Sequence, residues 1–342
     1  MESPLNLFAA CKPTGIIAKA LYSGRKAVFM SCTLVFIFCS VVWALQLSKL
    51  KETWRQIYAI VFCFHNINRA IIVYSVYWNR DNYIDCFNHF EFNANINTIS
   101  PSLIKYLAKN RLIISTLLLS AFVCYSIAVI MALIEFHPQI WHFIIKMSAI
   151  TCYYFYLNFY VESCLYIQSC FMQVEHQIDL VNHSNSTLSL AKVRQVRRLY
   201  CIAIETTEKL NSLLLPATAT YFVLSLIVNH YVFSNVISFP SLRVTLMFIA
   251  EFTAFFVVTY HIIYVNHLAV RIYEKVYSFS FKTDAVNVSK EIQLLLTRIA
   301  RTDVGLTWLN IFVITPTCVT SLATISLTIT LAVPTLIKLI RF

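Results

Sequence analysis

The chain has 342 residues, of which 58% are hydrophobic and only 13% charged, with three glycines and a formal net charge of +11. Soluble globular domains run at roughly 45–50% apolar and about 25% charged, so this composition excludes a water-soluble enzyme or binding domain and places the chain in a bilayer. The positive balance then reports membrane orientation and calls for no nucleic-acid partner.

A spanning helix takes about 20 predominantly apolar residues. The segment before Ala27 is polar and basic, and the run Ala27–Leu47 is too long for the core of a signal peptide, so it reads as the first anchor. Six more spans follow: Ile57–Trp78, Leu112–Ile134, Ile140–Ile167, Leu213–Phe233, Val244–Val265 and Trp308–Leu331. The expectation is an all-α polytopic membrane protein, one seven-span domain over residues 1–342.

Lys and Arg are distributed unevenly between the loops. The N-terminal segment and the second, fourth and sixth loops hold 19, among them Lys12, Arg25, Arg80, Arg111, Arg197 and Arg298, against six on the other side. By the positive-inside rule the N-terminus is cytosolic and the C-terminus extracellular. The sequons at Asn182, Asn185 and Asn287 fall in the cytosolic loops of this topology and read as chance matches. The 11 cysteines include no C-x-x-C, none lies in a predicted outer loop, and they read as small buried hydrophobes.

Four ionisable residues fall inside spans, where such groups mark a site or an internal pair: Arg69, Lys146, Glu162 and Glu251. Lys146 and Glu251 sit at the same depth, roughly 10 Å below the outer surface at 1.5 Å per residue, and can pair or line a ligand cavity. Arg69 and Glu162 fall nearer the cytosol and read as structural. The outer halves of the spans add Tyr58, His65, Tyr125, Trp141, Tyr153, His230 and Tyr231, flat faces with polar tips that suit a small organic ligand. The candidate ligand-binding set is Lys146, Glu251, Tyr125, Trp141, Tyr153, His65 and Tyr231. No H-E-x-x-H, paired aspartates or glycine-flanked serine is present, so no enzyme, metal or cofactor is expected.

Beyond the fourth span, apolar residues keep helical spacing on both sides of Asn-His-Ser-Asn-Ser-Thr (182–187), which predicts two helices with a break. Leu190, Val193, Val196, Leu199, Ile202 and Ile204 form one stripe, and Ile292, Leu295 and Ile299 another before the last span. Spans that continue into the cytosol as helices point to an assembly base. The last span, within "TCVTSLATISLTITLAVPTLIKLIRF", carries Thr317, Ser321, Thr324 and Thr328 at i, i+4, i+7 and i+11, a single stripe about 16 Å long. Ser326 and Thr330 make a second stripe, and Leu322, Ile325, Ile329 and Ala332 fill another face. Such hydroxyls either bond back to the carbonyl four residues earlier or line a polar path.

The stretch "RRLYCIAIETTEKLNSLLLPATATYFVLSLIVNHYVF", with Leu199, Leu210, Asn211 and Tyr231, resembles the insect gustatory receptors ahead of their fifth span. That family's last span carries Thr-Tyr, five apolar residues, then Gln-Phe. Counted from Gly305, these positions are Thr324-Ile325 and Leu331-Ala332, which keeps only the Thr; the alternative register sets Arg341-Phe342 at Gln-Phe and Pro334-Thr335 at Thr-Tyr, which keeps only the Phe, and in either the chain is similar to a divergent member. The resemblance implies a ligand-gated, non-selective channel for sodium, potassium and calcium. It also implies a homo- or hetero-tetramer with other gustatory receptors, a last span that lines the pore through Thr317, Ser321, Thr324 and Thr328, and a tastant pocket in the outer halves of the other spans. Its place would be the plasma membrane of gustatory neuron dendrites. The alternatives are a G-protein-coupled type of receptor, which needs the opposite orientation and lacks D-R-Y and N-P-x-x-Y here, and a non-conducting carrier or scaffold.

Overall fold

The computed structural model describes residues 7–47, 53–94, 99–136, 140–183, 188–238, 240–283, 285–301, 303–324 and 327–328. A short 3-10 turn, Leu7–Cys11, leads to α1 (Ile16–Tyr22), α2 (Lys26–Leu47), α3 (Thr53–Trp78), α4 (Arg80–Ala94), α5 (Pro101–Phe136), α6 (Ile140–His183), α7 (Leu190–Ser238), α8 (Leu242–Tyr277) and α9 (Val286–Ile299). One hairpin, β1 (Thr307–Trp308) with β2 (Phe312–Val313), precedes α10 at residues 316–324. Among the described residues the chain is all-α apart from that hairpin.

Helices of 36, 44, 49 and 36 residues, α5 to α8, are about 54 to 73 Å long at 1.5 Å per residue. The hydrocarbon core of a bilayer is about 30 Å thick, so each must continue well beyond it. By length and composition α2, α3, α5, α7 and α8 are apolar enough to cross. In α6, Lys146, Asn158 and a run of tyrosines dilute the hydropathy. It is nonetheless the central helix, packed by α2, α5, α7 and α8 and buried at nearly every position from Tyr156 to Val174, so other helices rather than lipid surround that half.

The far ends of α6 and α8, together with α4, α9 and the start of α7, form a base. The predicted stripes are its core: Val193, Val196, Leu199, Ile202 and Ile204 are buried, as are Ile292, Leu295 and Ile299. Ion pairs fasten its rim. Arg197 meets Glu291 at 2.6 Å, Arg271 binds Glu175, and Lys275 reaches both Glu175 and Asp179 at 2.8 Å. Burial alone pulls the Lys275 ammonium down, but its hydrogen bonds to Asp179 and Glu175 outweigh that and hold its pKa above the ordinary value.

Two features add to the sequence reading and one departs from it. The loop after α3 contains α4, whose low overall hydropathy hides Tyr83, Cys86, Phe87 and Phe90, a buried stripe at helical spacing. The N-terminal segment is folded into the base rather than lying free. Phe8, Cys11, Ile17 and Leu21 are buried, Lys12 pairs with Glu91 at 3.0 Å, and Arg111 donates to the carbonyls of Ala10 and Lys12. The last span was expected to begin at Trp308, but Trp308 stands in the hairpin and α10 starts only at residue 316. Leu309 and Asn310 both have positive φ, 52° and 58°, at the centre of a tight turn closed by the Ile311 N–H on the Trp308 carbonyl at 2.9 Å, which no helix accommodates.

Glu162 has a structural explanation. It accepts the backbone N–H of Thr14, and the Thr14 hydroxyl donates to both its oxygens at 3.2 Å. Asn158, one turn away, donates to it at 3.4 Å. The acid anchors the N-terminal segment to the central helix. Gly15 passes so close that a Cβ there would lie 2.5 Å from the Asn158 amide nitrogen.

Candidate functional site

α3, α6 and α8 run in the same direction, so residues near their N-terminal ends gather at one end of the bundle, opposite the base. Here Arg69 of α3 lies over the ring of Tyr153 of α6, its guanidinium carbon 3.5 Å from the centroid, a cation–π contact in a desolvated setting. His65, one turn earlier on α3, meets the edge of the same ring at 6.3 Å. Tyr154 stands against Tyr153 at 5.6 Å and against Phe122 of α5 at 5.7 Å. On α7, Tyr221 stacks on Phe255 of α8 at 6.2 Å.

Glu251 of α8 is buried, with 7% of its surface exposed. Arg69 is the cation whose charge reaches it, without a contact ion pair among the described residues. The carboxylate in turn lies within electrostatic reach of Tyr125, Tyr153, Tyr154 and Tyr221. Four predicted residues, His65, Tyr125, Tyr153 and Glu251, are therefore brought together.

The predicted pairing of Lys146 with Glu251 is not what the structure shows. The Lys146 ammonium sits 4.3 Å from the Trp43 ring centroid and 3.4 Å from Gln46 Oε1, both on α2. A chain of rings connects it to the cluster: Trp43 to Phe62 at 5.2 Å, Phe62 to His65 at 6.4 Å. The cation that serves Glu251 is Arg69, which sequence depth had assigned to the cytosolic side. Side chains on a helix lean toward its N-terminus, and on α3 that is the end where the cluster lies, so a long side chain reaches more than a turn above its own Cα.

Trp141 does not join the cluster. It is 41% exposed and packs on His142 at 3.6 Å. The side chains of Tyr58 and Tyr231 lie outside the described residues. Sequence reasoning missed Tyr154 and Tyr221, which no spacing rule separates from packing aromatics. Within the cluster, His65 Nδ1 and Arg69 Nε have no hydrogen-bond partner among the described residues. The Tyr221 hydroxyl is in the same state; buried polar atoms are ordinarily satisfied, so these three groups could hold a polar ligand group, between aromatic faces suited to its apolar body.

Of the predicted pore residues, Thr317, Ser321 and Thr324 are exposed on α10, as is Thr328 beyond it. The opposite side, with Cys318, Val319 and Leu322, faces the bundle. Thr324 donates its hydroxyl to the carbonyl of Thr320 at 2.9 Å, and Thr328 to that of Thr324 at 2.8 Å. The hydroxyls therefore bond back along the helix and stand on its open face at once. Ser326, Thr330, Ile325, Ile329 and Leu331-Ala332 fall outside the described residues. Behind α10 an apolar cavity of about 260 Å³ is lined by Phe222, Val223 and Leu226 of α7, by Trp308, Phe312 and Ile314, and by Cys318 and Leu322.

No protein-family model matches the chain, and no curated protein matches it in sequence. Solved structures do match it. The insect olfactory receptor OR5 from Machilis hrabei superposes with a TM-score of 0.69 at 12% identity, over 96% of this chain and 95% of that one. The same receptor in complex with eugenol superposes with a TM-score of 0.68 at 12% identity, over 90% and 88%. The chain has the fold of an insect olfactory receptor.

Proposed function

We propose that the chain is a gustatory receptor subunit: a ligand-gated, non-selective cation channel opened by a small-molecule tastant and held in the plasma membrane of gustatory neuron dendrites. Four subunits, alike or mixed, would surround one pore. The observation that carries this reading is a likeness spanning nearly the full length of both chains. The sequence resemblance around Leu199–Tyr231 supports the taste assignment.

In this reading the cluster of His65, Arg69, Tyr125, Tyr153 and Glu251 receives the ligand, while Lys146 sits on its rim. The exposed hydroxyls Thr317, Ser321, Thr324 and Thr328 line the pore, where uncharged oxygens suit a wide, weakly selective path. A ligand opens the channel only by binding the open state better than the closed one. The N-terminus is cytosolic and the C-terminus outside, as the Lys/Arg bias requires.

The second reading is an odorant-type ligand, favoured by the likeness to an olfactory receptor solved with eugenol. Whole-cell recording in cells expressing the chain, alone and with co-subunits, during application of fructose, denatonium and eugenol separates the two. A C-terminal tag reached by antibody on intact cells is the expected companion result. A tag reached only after permeabilisation overturns the topology and the channel with it.

A further inference from the structure

α7 carries Pro216 within its 49 residues. A proline inside a helix cannot donate to the carbonyl four residues earlier and crowds it, so α7 has one built-in weak point, where bends concentrate. The hairpin holds α7 on both sides of that point. Before it, the side chain of Asn211 accepts the Thr307 backbone N–H at 2.8 Å and donates to the Thr307 hydroxyl at 2.9 Å and to Asn310 Oδ1 at 3.4 Å. After it, the Ala219 carbonyl accepts the indole N–H of Trp308 at 3.3 Å. The two attachment points are about 12 Å apart along the helix.

From these contacts we infer that the hairpin is a strap that turns a bend of α7 at Pro216 into a displacement of α10. This inference rests on the channel reading above. A bend at Pro216 alters the separation and relative angle of Asn211 and Ala219, and a stiff piece bonded to both must move. The hairpin is stiff: Thr307 pairs with Val313 and Trp308 with Phe312, and Trp308 stacks on Phe312 at 5.6 Å. Its turn holds Leu309 at a positive φ, a conformation that an L side chain adopts only when its surroundings enforce it.

The strap has a fixed end and a driven end. At the fixed end, Asn266 of α8 donates to the Val304 carbonyl at 2.8 Å. Gly305 lies so close that a Cβ there would be 2.8 Å from Val313 Cγ1 and 3.3 Å from Asn266 Cβ. At the driven end, Ile314 is tied back to the Leu306 carbonyl at 3.0 Å, and Thr315 caps α10 through its hydroxyl to the Cys318 N–H at 3.3 Å. No slack separates β2 from α10. The apolar cavity between α7, the hairpin and α10 means that these elements are not close-packed where they would move, unlike an ordinary interior.

The input to the strap comes from the ligand cluster. Tyr221, five residues beyond Pro216, is the α7 member of the group around Tyr153 and Glu251. A molecule seated there pushes on the far arm of α7. Asn211 and Trp308 are thus positioning residues, acting on α10 and touching neither ligand nor ion.

Trp308→Phe keeps an aromatic ring facing Phe312 and the cavity, and removes the indole donor together with the ring that carries it. Pro216→Ala restores the missing helical hydrogen bond and stiffens the weak point. Each is compared with the wild-type chain at matched surface expression, using whichever of fructose, denatonium and eugenol opens the wild type. For Trp308→Phe we expect at least a tenfold rise in half-maximal concentration or an altered unliganded open probability, with unitary conductance and permeability ratios unchanged. For Pro216→Ala we expect agonist-evoked current to collapse at wild-type surface level. Wild-type dose–response and open probability in both variants overturn the strap while leaving the channel standing. A wild-type chain that reaches the surface and conducts under none of the three compounds, with or without co-subunits, removes the channel reading and the strap together.

Discussion

Replacing Thr324 and Thr328 by valine tests the pore face with little disturbance of the helix. Valine matches threonine in shape and is β-branched like it, so helix propensity barely changes. Each hydroxyl spends its proton on a carbonyl of its own helix, at 2.9 and 2.8 Å, and what it offers outward is oxygen lone pairs, which suit a cation or its water. Losing the internal bond costs little, because the carbonyl can keep its backbone partner. Stability should change by no more than about 0.5 kcal/mol.

With α10 lining the pore as proposed, losing the outward oxygen would remove one polar contact on the conduction path, worth about 1 kcal/mol. A barrier higher by that amount slows passage roughly fivefold. Single-channel recording should therefore show unitary conductance falling about fivefold for either variant and further for the pair, with thermal stability in detergent unchanged. Thr33→Val is the control, since Thr33 on α2 makes the same kind of bond, to the Phe29 carbonyl at 2.8 Å, away from α10. If the double variant keeps wild-type conductance and sodium-to-potassium permeability, α10 does not line the pore through these residues.

Three further outcomes follow from named contacts. Glu251→Gln and Arg69→Met should each raise the half-maximal agonist concentration about tenfold, or roughly 1.4 kcal/mol, with a non-additive double variant. Lys146→Gln should shift it less than threefold, and a larger effect from Lys146 than from Arg69 would reverse the assignment made here. Glu162→Ala should destabilise the folded chain by about 2–4 kcal/mol, because a charged acceptor is lost and the Thr14 N–H is left without it; thermal unfolding in detergent reads this, and an unchanged midpoint refutes the anchoring role. His89, on α4 in the base, is held below its ordinary pKa by burial and by Lys209, with Glu205 offsetting this in part. The unfolded chain therefore takes up the proton first. This contribution is complete above about pH 6.5 and is lost as pH falls from there through the lower folded-state pKa, and His89→Gln should flatten that acid limb of a stability–pH curve.

Much of the architecture was legible in the residues themselves. Apolar runs near 20 residues report the spans because a bilayer demands length and apolarity from each helix by itself, without reference to its neighbours. The stripes at Val193–Ile204 and Ile292–Ile299 were legible for a similar reason, since helical spacing depends on nothing but local geometry. The same reasoning failed at α4, where a modest stripe is set among polar residues, and at Trp308, where hydropathy continues through a turn that only two positive φ angles reveal. It set Lys146 and Glu251 at one depth, where they could pair, whereas Lys146 stands against Trp43 and Gln46 of α2, because depth is one coordinate and pairing needs three.

The sequence by itself determined that this chain is a bundle of membrane-crossing helices with a hydroxylated last helix, since composition and period are properties of single segments. Tertiary structure alone decided that Arg69 serves Glu251, that Glu162 holds the N-terminal segment, and that Asn211 and Trp308 clasp a hairpin across Pro216. Those facts join residues from 89 to 182 positions apart in the sequence, and no local pattern records which helix face meets which.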